Sequence, residues 1–311
     1  VSADPCWCGE RRARRLCRLP ADGFRETFPL VRCVRCGTER LDPMPPGEVL
    51  ARAYATGYYG AGTRKFVGPV AAATRAFQAG RARLVARCAR KGRILDIGCG
   101  NGNFLRDARE RGFEVEGTEL SAESAHRASP QGDLRVHVGD VTELGLPPGH
   151  YTAVTLWHVL EHVRDAGATL REAHRLLRPG GWLFVSLPNA ASWQARVTRE
   201  HWFHRDAPRH LWHFSPATLG RAMRAAGFRP LRCEHWSLEQ NPYGWLQSLL
   251  NLWGFPPNGL YEVLKRQRDA RVLTPLHVAA ACFAAALSVP LSLAEAAVGA
   301  GGTVTVVARR R

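Results

Sequence analysis

The chain has 311 residues, 45% of them hydrophobic: enough for a sizeable buried core and too many for one small domain. Lys and Arg outnumber Asp and Glu by 43 to 27, a formal charge of +16, which favours an anionic partner such as nucleic acid, a membrane surface or a phosphorylated substrate. No apolar run marks residues 1–10 as a secretory signal, and nine cysteines in a chain of this size read as reduced thiols rather than a disulfide framework.

In chain order, the first 45 residues are rich in Cys and Arg. Cys6-x-Cys8-Gly9 and Cys33-x-x-Cys36-Gly37 are paired sulfur donors on glycine-containing knuckles, the pattern of a tetrahedral structural zinc site. The first knuckle is one residue shorter than C-x-x-C, and Cys17 is a substitute donor. Cys88, Cys99, Cys233 and Cys282 are expected in the core. The run Arg11-Arg12-Ala13-Arg14-Arg15 reads as a solvated face. The proline cluster Asp42–Pro46 marks a boundary, and residues 70–90 carry apolar residues at helical spacing.

From Arg93 onward, strands alternate with helices. Strands are expected at 93–97, 113–119, 134–139, 151–157, 181–187 and 228–236, and helices at 103–111, 121–129, 166–177 and 216–226. That alternation implies a parallel, doubly wound α/β sheet. A last strand at 302–308 follows about sixty residues with a structure of their own. The expected layout is a cysteine module at 1–45, a linker and helix at 46–92, a core at 93–238, an apolar helical insertion at 239–300 and a final strand with a basic tail at 301–311.

The decisive stretch is Asp96-Ile97-Gly98-Cys99-Gly100-Asn101-Gly102, where a strand turns through three alternating glycines into a helix. Such a turn lets a ligand touch the backbone. Glu119 ends the next strand, where a carboxylate can accept ribose hydroxyls. Asp140 ends the third, within reach of an adenine amino group.

The spacing differs from the dinucleotide fingerprint and resembles the first motif of the class I S-adenosylmethionine-dependent methyltransferases. Gly117–Ser121, containing Glu119 and Leu120, resembles their ribose-binding segment, and Gly139-Asp140-Val141 their adenine segment. Trp157-His158-Val159-Leu160-Glu161-His162 resembles the fourth motif, and Leu177–Gly181 the turn before strand five. The resemblance implies a Rossmann-like seven-stranded sheet with strand seven between five and six. It also implies S-adenosylmethionine held by Asp96, Gly98, Gly100, Gly102, Glu119, Leu120, Asp140, Val141 and Trp157. Residues 187–216 and Tyr54-x-x-x-Tyr58-Tyr59 resemble the bacterial type-23 branch, often joined to a zinc-ribbon-like module of the kind Cys6, Cys8, Cys33 and Cys36 suggest. His158-x-x-Glu161-His162 is similar to the metal-binding Glu-x-x-Glu-His segment of ubiquinone-pathway O-methyltransferases, with His in place of the first Glu.

For the chemistry, His158 and His162 follow strand four, and His210 and His213 lie in an aromatic loop. All four are candidate bases near neutral pH. Residues 272–294 carry no charged side chain, long enough for a membrane span. The returning last strand argues against a single crossing, and dividing the stretch at Pro290 leaves pieces too short for two. An interfacial helix, a subunit face and a pocket cover remain, and Lys265-Arg266-Gln267-Arg268 beside aromatic residues suits an anionic membrane.

The expected protein is a cytoplasmic methyltransferase, at the inner membrane face if the insertion binds lipid. It would act on an oxygen, or less readily a carbon, of a sugar, lipid-linked or small-molecule acceptor. The alternatives are a zinc-ribbon RNA methyltransferase and an inactive cofactor-binding module. The end of strand four lacks an Asn-Pro-Pro-Tyr-type segment, which argues against base-amine methylation.

Overall fold

A computed structural model of the chain describes residues 4–21, 23–55, 79–238, 240–255, 260 and 274–311. Tyr58, Tyr59, the first part of the 70–90 helix and the basic run 265–268 lie outside these residues. The chain divides into two compact units that are not contiguous in sequence: Val1–Ala71 with Pro188–Thr218 and Glu234–Val304, and Ala72–Leu187 with Leu219–Cys233 and Thr305–Arg311.

The first unit contains a small antiparallel sheet. β1 (Ala13–Leu19), β2 (Phe28–Cys33) and β3 (Glu39–Leu41) follow the knuckles, and α1 (Gly47–Ala55) follows the proline cluster. A fourth strand, β9 (Trp212–His213), joins β3 with Glu39 opposite His213. The sheet buries Leu19, Phe28, Leu30 and Leu41.

The second unit is built on α2 (79–88), β4 (Arg93–Ile97), α3 (Asn103–Glu110), β5 (Glu114–Glu119), α4 (Ala122–Ala128), β6 (Arg135–Val138) and β7 (Tyr151–Trp157). α5 (Ala166–Leu176), β8 (Leu177–Pro188), α7 (Pro216–Ala225), β10 (Phe228–Glu234) and β11 (Thr303–Arg310) complete it. The sheet order is β10-β11-β8-β7-β4-β5-β6, which seats the last strand of the chain between β8 and β10, the arrangement the family resemblance implies. β6, β5, β4, β7 and β8 run parallel, so their carboxyl ends share one edge. All seven residues of β7 are buried, as a central strand covered on both faces requires. Ile94, Phe104, Leu105, Ala153, Phe184 and Val307 form its core. Helix starts follow capping chemistry: Ser121 accepts from Ser124 N–H at 3.2 Å before α4, and Asp165 from Ala168 N–H at 2.8 Å before α5.

Back in the first unit, α6 (Trp193–Thr198) leads through a 3-10 turn, Arg199–His201, toward β9. The insertion contributes α8 (Asn241–Leu252) and α9 (Pro275–Ala297). α9 runs unbroken through Pro290 for 23 residues. Proline removes one donor and crowds the preceding turn, and the Ser288 hydroxyl donates to the Ala285 carbonyl in that turn at 2.8 Å. One expectation is corrected here: Cys233 and Cys282 are exposed, one on the edge strand β10 and the other on α9. Cys99 is buried as expected, and Cys88 is half-buried.

Candidate active site and cysteine cluster

The site begins with β4, whose register places Asp96 opposite Thr155 of β7. The Thr155 hydroxyl donates to the Asp96 carboxylate at 2.6 Å. Asp96 is buried, which pushes its carboxyl up to about 7 against the opposing pull of that hydrogen bond and of the Arg81 guanidinium. After β4 the chain turns through Gly98, Gly100 and Gly102, with φ of 68°, 58° and 69°. This left-handed region is open to glycine and costly for other residues.

Hydrogen bonds tie the loop to its neighbours. Gly98 N–H and Cys99 N–H donate to the Thr118 carbonyl at 3.0 and 3.1 Å, and Gly100 N–H donates to Glu119 Oε1 at 2.5 Å. Gly139 N–H donates to the Glu119 carbonyl at 2.8 Å, drawing in the end of β6. Burial raises the Glu119 carboxyl, while the Gly100 and Leu120 N–H groups pull the other way. Asp140 accepts from the Thr142 N–H and hydroxyl at 2.9 and 2.8 Å, and Val141 beside it is buried. Leu120 is 74% exposed, an apolar side chain left at the loop edge.

The end of β7 meets the same loop. Trp157 packs against Phe104 and Phe184, with ring centroids 5.5 and 6.5 Å away, and the Arg81 guanidinium lies 5.2 Å from its ring centroid. His158 follows in the left-handed region, φ 58°, and Val159 packs against Gly98. A non-glycine residue held there marks a turn fixed by its surroundings. His158 Nδ1 stands 3.3 Å from Glu161 Oε1, and Glu161 is buried. His162 closes the turn through its N–H to the Val159 carbonyl at 2.8 Å.

Every cofactor residue expected from the sequence therefore lies in the sheet unit. Asp96, Gly98, Gly100, Glu119 and Asp140 converge on the edge formed by the strands' carboxyl ends, where open α/β sheets take their ligands. Arg81, which spacing did not single out, joins them through Asp96 and Trp157. The residues fit a cofactor carrying adenosine and positive charge: a backbone cradle, a ribose-side carboxylate and a buried carboxylate. A side chain built on Gly100 would enter open space, with no atom within 4 Å.

A methyltransferase domain family matches residues 71–232, more than half of the chain. The chain belongs to the class I S-adenosylmethionine-dependent methyltransferases. Ubiquinone biosynthesis O-methyltransferase of Bordetella bronchiseptica is 30% identical over 169 residues, 50% of this chain and 69% of that enzyme. The enzyme of the same name from Chromobacterium violaceum is 31% identical over 147 residues, 43% of this chain and 63% of the other. A crystal structure of a methyltransferase from Archaeoglobus fulgidus shares the fold at TM-score 0.50 and 19% identity, covering 76% of this chain and 94% of that one. The [4+2]-cyclase SpnF shares it equally, at TM-score 0.50 and 23% identity over 75% of this chain and 81% of its own. Fold alone thus leaves the reaction open, and the sequence relatives decide for methyl transfer.

Binding of this cationic cofactor to the methyltransferase will release protons. The Asp96 carboxyl is raised in the folded protein, so its ionised form is disfavoured there. For this group, stability declines as pH rises from about 4 to about 7. A positively charged ligand favours the carboxylate and reverses that penalty. Calorimetric titration at pH 7 in buffers of different ionisation enthalpy should record release of about half a proton per cofactor. Asp96→Asn should abolish the release, and an unchanged value would remove Asp96 from the site.

His210 and His213 belong to the other unit. His210 Nδ1 donates to the His204 carbonyl at 2.8 Å, and Nε2 lies 3.7 Å from Asp206. His213 is buried on β9. Burial, then the nearby Arg205 and His210, push its imidazole well below the usual range, so it is neutral near pH 7.

The cysteine cluster stands in the same unit as these histidines. The sulfurs of Cys6, Cys8, Cys33 and Cys36 all lie within 4.8 Å of one another, with Cys6–Cys36 at 3.4 Å and Cys8–Cys33 at 3.7 Å. Four sulfurs about 2.3 Å from a central zinc would stand roughly 3.8 Å apart, so the donor set fits that ion. Gly9 and Gly37, φ 81° and 76°, turn the two knuckles, and Trp7 Nε1–H donates to the Thr38 hydroxyl across them at 2.8 Å. The shorter first knuckle brings its sulfurs in without Cys17, which lies on β1 outside the cluster.

Proposed function

We propose that this methyltransferase methylates a hydroxyl oxygen of a sugar, lipid-linked or small-molecule acceptor, with His158 as the base. The observation that carries the reading is the His158–Glu161 pair at the end of β7. The bound cofactor supplies an electrophilic methyl on a sulfonium. A hydroxyl acceptor then needs a partner for its proton. A buried carboxylate beside Nδ1 holds the imidazole with that nitrogen protonated and leaves Nε2 as the acceptor. His162, one turn on, supplies a second imidazole at the same strand end. The names of the curated relatives support oxygen as the methylated atom.

The test uses radiolabelled methyl donor offered to glycan, lipid, metabolite and RNA pools. Label should enter a hydroxyl-bearing glycan, lipid or metabolite as a methyl ether. His158→Asn should slow transfer about 100- to 1,000-fold with cofactor affinity retained. Asn accepts the left-handed backbone that His158 occupies. Unchanged turnover would overturn the role of His158, and label confined to RNA would overturn the acceptor class.

The four cysteines, in the same reading, hold a structural zinc. Four thiolates leave no open coordination position, so the ion would brace the small sheet rather than take part in methyl transfer. In the same reading the protein works in the cytoplasm, where cysteines stay reduced and available to a metal.

A further inference from the structure

The insertion presents a surface that the methyl-transfer chemistry does not use. α9 faces α8 with a narrow stripe only: its buried residues are Ala284, Ser288, Ser292 and Glu295, recurring every three or four positions. The small side chains let the two helices approach, with Trp245 and Leu249 of α8 packed on Ala284. Glu295 anchors the stripe's end, accepting from Gln194 Nε2–H at 2.8 Å and from Gly302 N–H at 2.9 Å. The remaining circumference is apolar and open. Leu276 is 70% exposed and Phe283 60%, and Val278, Val289 and Leu293 are exposed beside them. The helix is long and apolar enough to cross a membrane, but β11 follows closely and pairs back into the sheet, so a single crossing would strand that strand on the wrong side.

Charge stands directly beside this apolar face. Trp253, just after α8, lies against Phe283 with ring centroids 6.1 Å apart. Its neighbour Leu252 lines a surface hollow together with Arg196, Arg199 and His201 from the end of α6 and the turn that follows. Val197, in the same wall, is 56% exposed. Glu200 lines the same hollow, 3.9 Å from His201. Exposed Trp, Phe and Leu adjoining arginines are what the boundary between acyl chains and anionic headgroups selects. Lipid phosphates would neutralise the arginines that line this hollow beside the apolar face.

We propose that α9 and the end of α8 dock on an anionic lipid bilayer, with Leu276, Phe283 and Trp253 entering the interface and Arg196 and Arg199 against lipid phosphates. The inference rests on the first unit alone and holds whatever acceptor is methylated.

The test is flotation of the full chain with vesicles of phosphatidylglycerol and phosphatidylcholine, compared with phosphatidylcholine alone. The native chain should float with the mixed vesicles and release as salt is raised. Each of Arg196→Ala and Arg199→Ala should weaken partitioning about five-fold. Phe283→Ser, at an exposed position, should weaken it further while the calorimetric cofactor titration stays normal, which reports a folded protein. Brominated lipids should quench tryptophan fluorescence in the native chain, and less so in Trp253→Ala. Absence of flotation would overturn the proposal. So would equal binding to neutral vesicles, or a stable dimer that Phe283→Ser splits without any effect of lipid.

Discussion

Gly98→Ala will bind S-adenosylmethionine about 100-fold more weakly than the native methyltransferase, a difference of about 2.7 kcal/mol, and will melt at a lower temperature. Two costs combine at this residue. A φ of 68° places any side chain in the left-handed region, at about 1–2 kcal/mol. A Cβ there would also stand 2.6 Å from Val159 Cγ2, and overpacking of that kind costs about 1–3 kcal/mol. Val159 belongs to the turn that holds His158, so relief of the clash moves either the cofactor loop or the proposed base. Gly100→Ala separates the effects. Its φ of 58° carries the same backbone cost, but no atom lies within 4 Å of the added methyl. That variant should keep most of its thermal stability and still lose cofactor affinity, because the methyl occupies space a ligand needs. Calorimetric titration and thermal melting of both variants decide the matter. Undiminished affinity in Gly98→Ala would remove the loop from the site. A stable Gly100→Ala with native affinity would mean that the ligand passes the loop at a distance.

The sheet unit is legible in the sequence because its signals are local. β7 appears as a charge-free run of apolar residues and threonines since both its faces are covered, and the turn after β4 shows as three glycines since its left-handed dihedrals are costly for most other residues. Glu119 and Asp140 stand out by position, one ending β5 and the other two residues past β6, at the sheet's carboxyl edge. What escaped is what depends on distant partners. Arg81 is one arginine among many on an amphipathic helix, and only the fold carries it to Trp157 and Asp96. β9 is two residues long, and its pairing with β3 spans about 170 positions, so no periodicity could announce that Trp212 and His213 extend the small sheet. Cys282 belongs to an apolar run, which suggested burial, but that run faces outward.

Zinc should be found at one ion per chain in gently purified protein, and Cys33→Ser should lower that content to about a tenth or less. The argument is one of size. The sheet of β1, β2 and β3 rests on a handful of buried side chains, Leu19, Phe28, Leu30 and Leu41, and pieces of about forty residues rarely fold without a metal or disulfide. All nine cysteines are free thiols. Four sulfurs brought within 4.8 Å of one another, two of them in a buried pair at 3.4 Å, crowd donors that a divalent ion would share. In small zinc domains the bound metal contributes about 10–16 kcal/mol of apparent free energy, and here the pairing of β3 with β9 carries part of the load. Chelation should therefore open the 4–41 region to proteolysis at its arginines. Cys17→Ser provides the control: that thiol lies on β1 outside the cluster, so zinc content and protease resistance should stay at the native level. If Cys17→Ser loses the ion as fully as Cys33→Ser, the ligand set is wrong. If native protein carries no zinc and resists protease regardless of chelator, the four sulfurs are packed thiols, and the strand pairing alone holds the module.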